Sequence, residues 1–156
     1  MRIVLLFFVS FFAACAHAPT AVDLRRSLLL EAITAPNTIA PGDEFTATFA
    51  VRNTSQGTLS LCSAGGVSML LRSGTSALVW PIVQHGITTD TACSGPVTIK
   101  ANEFATFVEH GGVRRGWPEG ESVLVASFTV WCAGPVQCDE ITLKSHTRLR
   151  VSASPD

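Results

Sequence analysis

Five cysteines are the residues of this chain whose type and spacing could do covalent chemistry: Cys15, Cys62, Cys93, Cys132 and Cys138. Cys132 and Cys138 flank Ala133-Gly-Pro-Val-Gln137, a composition suited to connecting two hairpin strands. A hairpin brings such positions together, and a disulfide then needs only Cα atoms within about 7 Å. Cys62 and Cys93 would form the second pair, tying an early strand to a long polar loop. Three connectivities are formally open. The main rival, Cys62 to Cys132 across two sheets, would imitate the bridge of antibody domains with Trp80 beside it. Loop closure by the favoured pairs is worth roughly 2.4 kcal/mol for the short loop and roughly 3.7 kcal/mol for the long one, if unstrained. Zinc is the competing chemistry, but no C-x-x-C pair occurs and oxidation competes, so no metal is expected.

Cys15 is the odd cysteine, and its surroundings give it a different chemistry. The chain opens MRIVLLFFVSFFAAC, with Arg2 ahead of an apolar run from Ile3 to Phe12 broken only by Ser10. A core of about ten apolar residues fits a signal peptide and is too short to span a bilayer, which needs about twenty. Phe12-Ala13-Ala14-Cys15 resembles the bacterial lipobox, with Phe12 where leucine is usual. That resemblance implies cleavage before Cys15 and acylation of its thiol, with residues 1–14 as a lipoprotein signal peptide. An ordinary signal peptidase acting near Ala16 or Ala18 is the alternative. Lipidation at Cys15 would leave four cysteines, an even set, in an oxidising compartment. Ala16 after Cys15 leans towards the outer membrane, periplasmic face, where two membranes exist.

Other reactive side chains are thinly spread. His17, His85, His110 and His146 have no metal-type spacing, no G-x-S-x-G elbow occurs, and no carboxylate pair stands out. The reading is therefore a non-enzyme without cofactor. Two stretches have the chemistry of recognition. Val113-Arg-Arg-Gly-Trp117 sets Trp117 beside Arg114 and Arg115 in a glycine-rich loop, and Trp and Arg are enriched in binding hot spots; the alternative is that Trp117 folds back over the end of the sandwich. Lys144, His146, Arg148 and Arg150 recur every second residue, which puts them on one side of a strand as a basic row.

The elements that must position these residues are short strands. Pro41-Gly-Asp43 opens a segment in which Phe45, Ala47, Phe49 and Val51 alternate with polar residues until Asn53-Thr-Ser-Gln-Gly57 stops it. The same grammar recurs at residues 27–34, 58–62, 67–72, 77–83, 97–100 and 104–108. Ser122–Cys132 is the longest apolar run, and its near-continuous hydrophobicity predicts a central strand buried on both sides. A last strand carries Ile141, Leu143, Leu149 and Val151 opposite the basic row. Seven to nine strands without a convincing helix predict an all-β, immunoglobulin-like antiparallel β-sandwich over residues 27–152, with residues 15–26 as lipid anchor and tether. The sequence carries 11 Lys and Arg against 12 Asp and Glu, a balance that argues against nucleic acid.

The strand PGDEFTATFAVRNTS, the later strand closing on Leu78-Val79-Trp80 and the turn Trp117-Pro-Glu-Gly-Glu-Ser122 together resemble the intracellular proteinase inhibitor (BsuPI-type) domain. The resemblance covers roughly residues 40–130. It implies an immunoglobulin-like sandwich and, for a chain with an export signal, inhibition of an exported protease. From the residues themselves the expected function is a membrane-anchored envelope lipoprotein acting as a non-catalytic binding or structural module. Its partners are then the membrane, through the N-terminal lipid, and a protein or glycan of the envelope. Non-reducing peptide mapping of the mature protein should show Cys62 linked to Cys93 and Cys132 linked to Cys138; four free thiols or bound zinc would overturn this framework.

Overall fold

The computed structural model describes residues 23–63, 65–83, 93, 95–134 and 138–153. The expected signal peptide, Cys15 and the tether up to residue 22 lie outside the described residues. Ten strands and one helical turn follow one another: α1 (Leu24–Ser27), β1 (Leu28–Thr34), β2 (Thr38–Ile39), β3 (Glu44–Asn53), β4 (Leu59–Ser63), β5 (Ser68–Ser73), β6 (Val79–Val83), β7 (Val97–Ile99), β8 (Phe104–Gly112), β9 (Gly120–Cys132) and β10 (Ile141–Val151). They form a three-stranded sheet in the order β1-β3-β8 and a seven-stranded sheet in the order β2-β10-β9-β4-β7, with β5 and β6 joined to the second through β9. Two sheets closing on one core make this an all-β sandwich. Strand number exceeds the seven to nine expected by β2, which at two residues is too short to show a period; the three-residue β7 falls within the strand expected at residues 97–100. The sandwich is also not wholly antiparallel, since β2 pairs in parallel with Arg150 and Val151 of β10.

The apolar face of each strand meets the other sheet. Phe45, Ala47, Phe49 and Val51 of β3 are buried, as are Leu124, Ala126, Phe128 and Val130 of β9. Phe107 of β8 and Phe128 bring their rings to 4.7 Å between centroids across the interface. β9 is central, as its near-continuous hydrophobicity predicts, but it is not buried on both sides. Its residues alternate between buried and half-buried, because Val123 and Val125 lie on an outer face that only neighbouring side chains cover. One edge of β9 carries β10 over eleven consecutive residue pairs. The other edge is shared, with β5 beside Ser122–Ser127 and β4 beside Val130–Cys132.

Two local expectations are corrected, and one alternative is set aside. Leu24 is buried in the core and Asp23 caps the helical turn through the Arg25 amide at 3.1 Å, so packing begins before residue 27. β8 runs on beyond the expected 104–108, through His110 to Gly112, because its ladder with β3 continues to the Glu44–Gly112 pair. The rival disulfide across the sheets fails because Cys62 and Cys132 sit on neighbouring strands of one sheet, opposite Trp131 and Leu61.

Asn53 ends β3 and is fully buried. Its Nδ2 donates to the carbonyls of Gly57 at 2.7 Å, Ile99 at 3.0 Å and Lys100 at 3.2 Å. Its Oδ1 accepts from the Ser55 amide at 2.9 Å and the Ser55 hydroxyl at 2.7 Å. Replacing this group takes its donor from the buried Ile99 carbonyl and its acceptor from the Ser55 amide, each at about 1–3 kcal/mol, while the Gly57 and Lys100 carbonyls keep the Ser55 hydroxyl and the Glu103 amide as donors. Asn53→Ala should therefore lower unfolding stability by about 3 kcal/mol in urea denaturation. Asn53→Asp should be no better, because a carboxylate offers only acceptors to those carbonyls.

Candidate functional site

The Arg114-Arg115-Gly116-Trp117 stretch is a β-turn closed by the Trp117 amide donating to the Arg114 carbonyl at 3.1 Å. Gly116 has φ 77°, the left-handed conformation that glycine adopts without the steric penalty of a Cβ. The turn separates its residues. Trp117 swings into the core at 5% exposure, and its Nε1 donates to the buried Ser122 hydroxyl at 3.1 Å. Of the two readings of this aromatic, the structural one holds: the ring fills the end of the sandwich and its N–H finds an internal acceptor, so Trp117 is not an exposed binding residue beside the two arginines. Arg114 and Arg115 stay at the surface. The Arg114 guanidinium stacks 5.5 Å from the Trp80 ring centroid, and Arg115 lies against the Gly42 turn. The signal that could have found this is the glycine at the third turn position, followed by a serine acceptor five residues beyond the tryptophan.

The basic row forms as expected. Lys144, His146, Arg148 and Arg150 are exposed along β10, on the outer face of the seven-stranded sheet. Register brings them beside Ser127, Val125, Val123 and Glu121 of β9. β5 adds Arg72 opposite Val123 and Leu70 opposite Val125, and β6 adds Val79 and Pro81 beyond them. Arg72, Val123, Val125, Lys144 and His146 line a shallow depression of about 530 Å³. A second, of about 430 Å³, lies between Asn37, Glu121, Arg148 and Arg150. Sequence reasoning missed Arg72 and the apolar strip, because only the pairing of β5 with β9 sets them next to β10.

The outer face of the three-stranded sheet differs. It exposes Phe104 at 63%, Val108 at 54% and Leu29 at 47%, with Glu31 and Arg52 beside Phe104 around a hollow of about 330 Å³. His110 on this face shares a hydrogen bond of 3.0 Å with Thr46. Among the described residues no group of three or more His, Cys, Asp or Glu could hold a metal ion.

Both favoured disulfides form. Cys62 and Cys93 have Cα atoms 5.2 Å apart, and Cys132 and Cys138 are 5.6 Å apart. The first fastens residue 93 to the buried Cys62 of β4; the second closes the ends of β9 and the segment before β10. Two closed bridges point to a protein that works outside the reducing cytoplasm.

No family model matches the sequence, and no curated protein matches it. Solved structures share the fold. AvmM, which catalyses macrocyclization in alchivemycin A biosynthesis, is 11% identical with a TM-score of 0.51, over 83% of this chain and 91% of its own. Spo0M, the sporulation control protein of Bacillus subtilis, is 14% identical at a TM-score of 0.48, over 82% of this chain and 50% of its own. The CARDB domain of a Pyrococcus furiosus protein is 14% identical at a TM-score of 0.46, over 81% and 94%. The chain therefore spans half the length of Spo0M. At these identities the likeness is one of fold, a β-sandwich.

Trp117→Ala should lower stability by about 3–5 kcal/mol, as expected for a deleted core tryptophan. Arg114→Ala, at the exposed end of the same turn, should stay within about 0.5 kcal/mol. Paired denaturation curves check both values.

Proposed function

We propose that this chain is an exported lipoprotein, anchored through Cys15, whose β-sandwich is a non-catalytic binding or structural module of the cell envelope. The observation that carries this reading is the closure of Cys62 on Cys93 and of Cys132 on Cys138. With those pairs made, the fifth cysteine is the one that follows an apolar run and two alanines. An unpaired thiol is a poor feature in an oxidising compartment, whereas an acylated one is an anchor. The immunoglobulin-like arrangement suits the role, since a rigid sandwich presents broad sheet faces and loops to partners while its core is closed. The partner-facing chemistry lies on the sheet faces. The turn at Arg114 and Arg115 contributes two surface cations, and its tryptophan serves the core.

Acyl chains hold such a module at the membrane because each buried methylene contributes about 0.8 kcal/mol. Cys15→Ser should leave the precursor unprocessed and abolish incorporation of a fatty-acid analogue. A soluble mature protein beginning after Ala16 or Ala18 would sink the reading.

A further inference from the structure

We infer that the outer face of the seven-stranded sheet docks on the anionic phospholipid surface to which the chain is tethered, an inference that rests on the lipid-anchor reading above. Charge is the first reason. Arg72, Lys144, Arg148 and Arg150 are exposed on this face, and register sets one carboxylate, Glu121, beside Arg150 among them. Among the described residues, the ion pairs are Arg26 with Asp23 and Lys100 with Glu103, and neither lies on this face. The opposite face of the sandwich carries Glu31 and Glu44 with Arg52, so the domain has a cationic side and a side with no such excess.

Shape and composition are the second reason. The cations border an apolar strip of Leu70, Val79, Pro81, Val123 and Val125, with Val79 itself 54% exposed. Headgroup phosphates can satisfy the guanidinium and ammonium groups while the strip meets the acyl boundary, the arrangement long basic side chains favour at interfaces. The two depressions on this face are shallow and open, which suits a broad planar surface.

The tether is the third reason. α1 packs against β10 as well as β1, so the chain enters the sandwich next to the strand that bears the basic row. From Cys15 to Asp23 the backbone can span at most about 28 Å. An acylated Cys15 would hold the entry turn at Asp23, and with it the part of β10 that α1 packs against, close to the headgroups, and a surface at that range acts as an intramolecular partner.

The test uses the mature chain from residue 15 carrying Cys15→Ser, oxidised and without lipid, so that binding reports the face and not the anchor. Co-sedimentation should show it on vesicles of phosphatidylcholine with about one-third phosphatidylglycerol, and not on phosphatidylcholine alone, with binding lost at high salt. Each cation near an anionic surface strengthens binding about fivefold, so Lys144→Gln with Arg148→Gln should weaken it about 25-fold. Arg114→Gln with Arg115→Gln removes the same charge from the end of the sandwich and should change it less than about twofold. Equal binding to both vesicles, an equal loss in both double variants, or binding to polygalacturonate with none to vesicles would overturn the inference. Fatty-acid labelling at Cys15 is read separately. Labelling with no vesicle binding therefore rejects the docking face and keeps the anchor, and vesicle binding by a chain never labelled in cells rejects the anchor.

Discussion

The buried carboxamide of Asn53 is the constraint on which the two-sheet arrangement depends. Apolar packing between sheets is strong but has no direction, so it alone does not set how one sheet sits on the other. Asn53 supplies direction. It stands at the end of a strand in the three-stranded sheet and donates to carbonyls at Ile99 and Lys100, where β7 of the other sheet turns into β8. Its own amide donates to the Glu103 carbonyl at 2.9 Å. Next to it, the Thr54 amide and hydroxyl donate to the carbonyls of Ser27 at 2.8 Å and Arg26 at 3.1 Å. The entry helix, the turn after β3 and the turn before β8 are thus fastened at one corner. The latter turn needs Asn102 at φ 61°, a conformation asparagine tolerates better than most residues.

A second constraint arises from β9, which has two partners along one edge. Between β4 and β5 the chain leaves the ladder, and the buried Val67 would have an unpaired amide there. Glu109 of the facing sheet accepts from that amide at 2.7 Å, so a carboxylate closes the seam that two short strands leave open. The disulfides sit at the same end of the molecule. Cys62 lies in β4 beside the seam, and Cys132 ends β9. Covalent links therefore stand beside the three-residue ladders of β4 with β7 and β9, while the long β9–β10 pairing carries none along its length.

Function on this scaffold is a matter of faces. The inner faces are consumed by the core, and the end turn at residues 114–117 spends its tryptophan there as well. What remains exposed is a cationic sheet with an apolar strip on one side, and on the other a sheet exposing Phe104 and Val108. Because strands alternate sides, a single β10 both seals the core through Ile141, Leu149 and Val151 and lays out the basic row. Charge substitutions in that row therefore leave the packing side untouched.

The period of two at residues 45–51 and 141–151, and the turn chemistry of Asn53 and Gly116, were enough to predict strands, stops and an all-β class. These are local properties, set by side-chain alternation and backbone preference within a few residues. The pairing of Cys132 with Cys138 was legible for the same reason, since a hairpin is local. Tertiary structure alone decided what depends on distant neighbours. Trp117 could be read as a surface aromatic beside two arginines or as a cap on the sandwich, and only the turn at Gly116, which aims it at Ser122, decides for the cap. Ser122–Cys132 looked buried on both sides because its outer residues are valine, serine and threonine, yet only packing shows one face half open. Arg72 joins the basic row across β9, a relation that no spacing along the chain encodes, because the order of strands in a sheet is settled by which apolar faces close the core together.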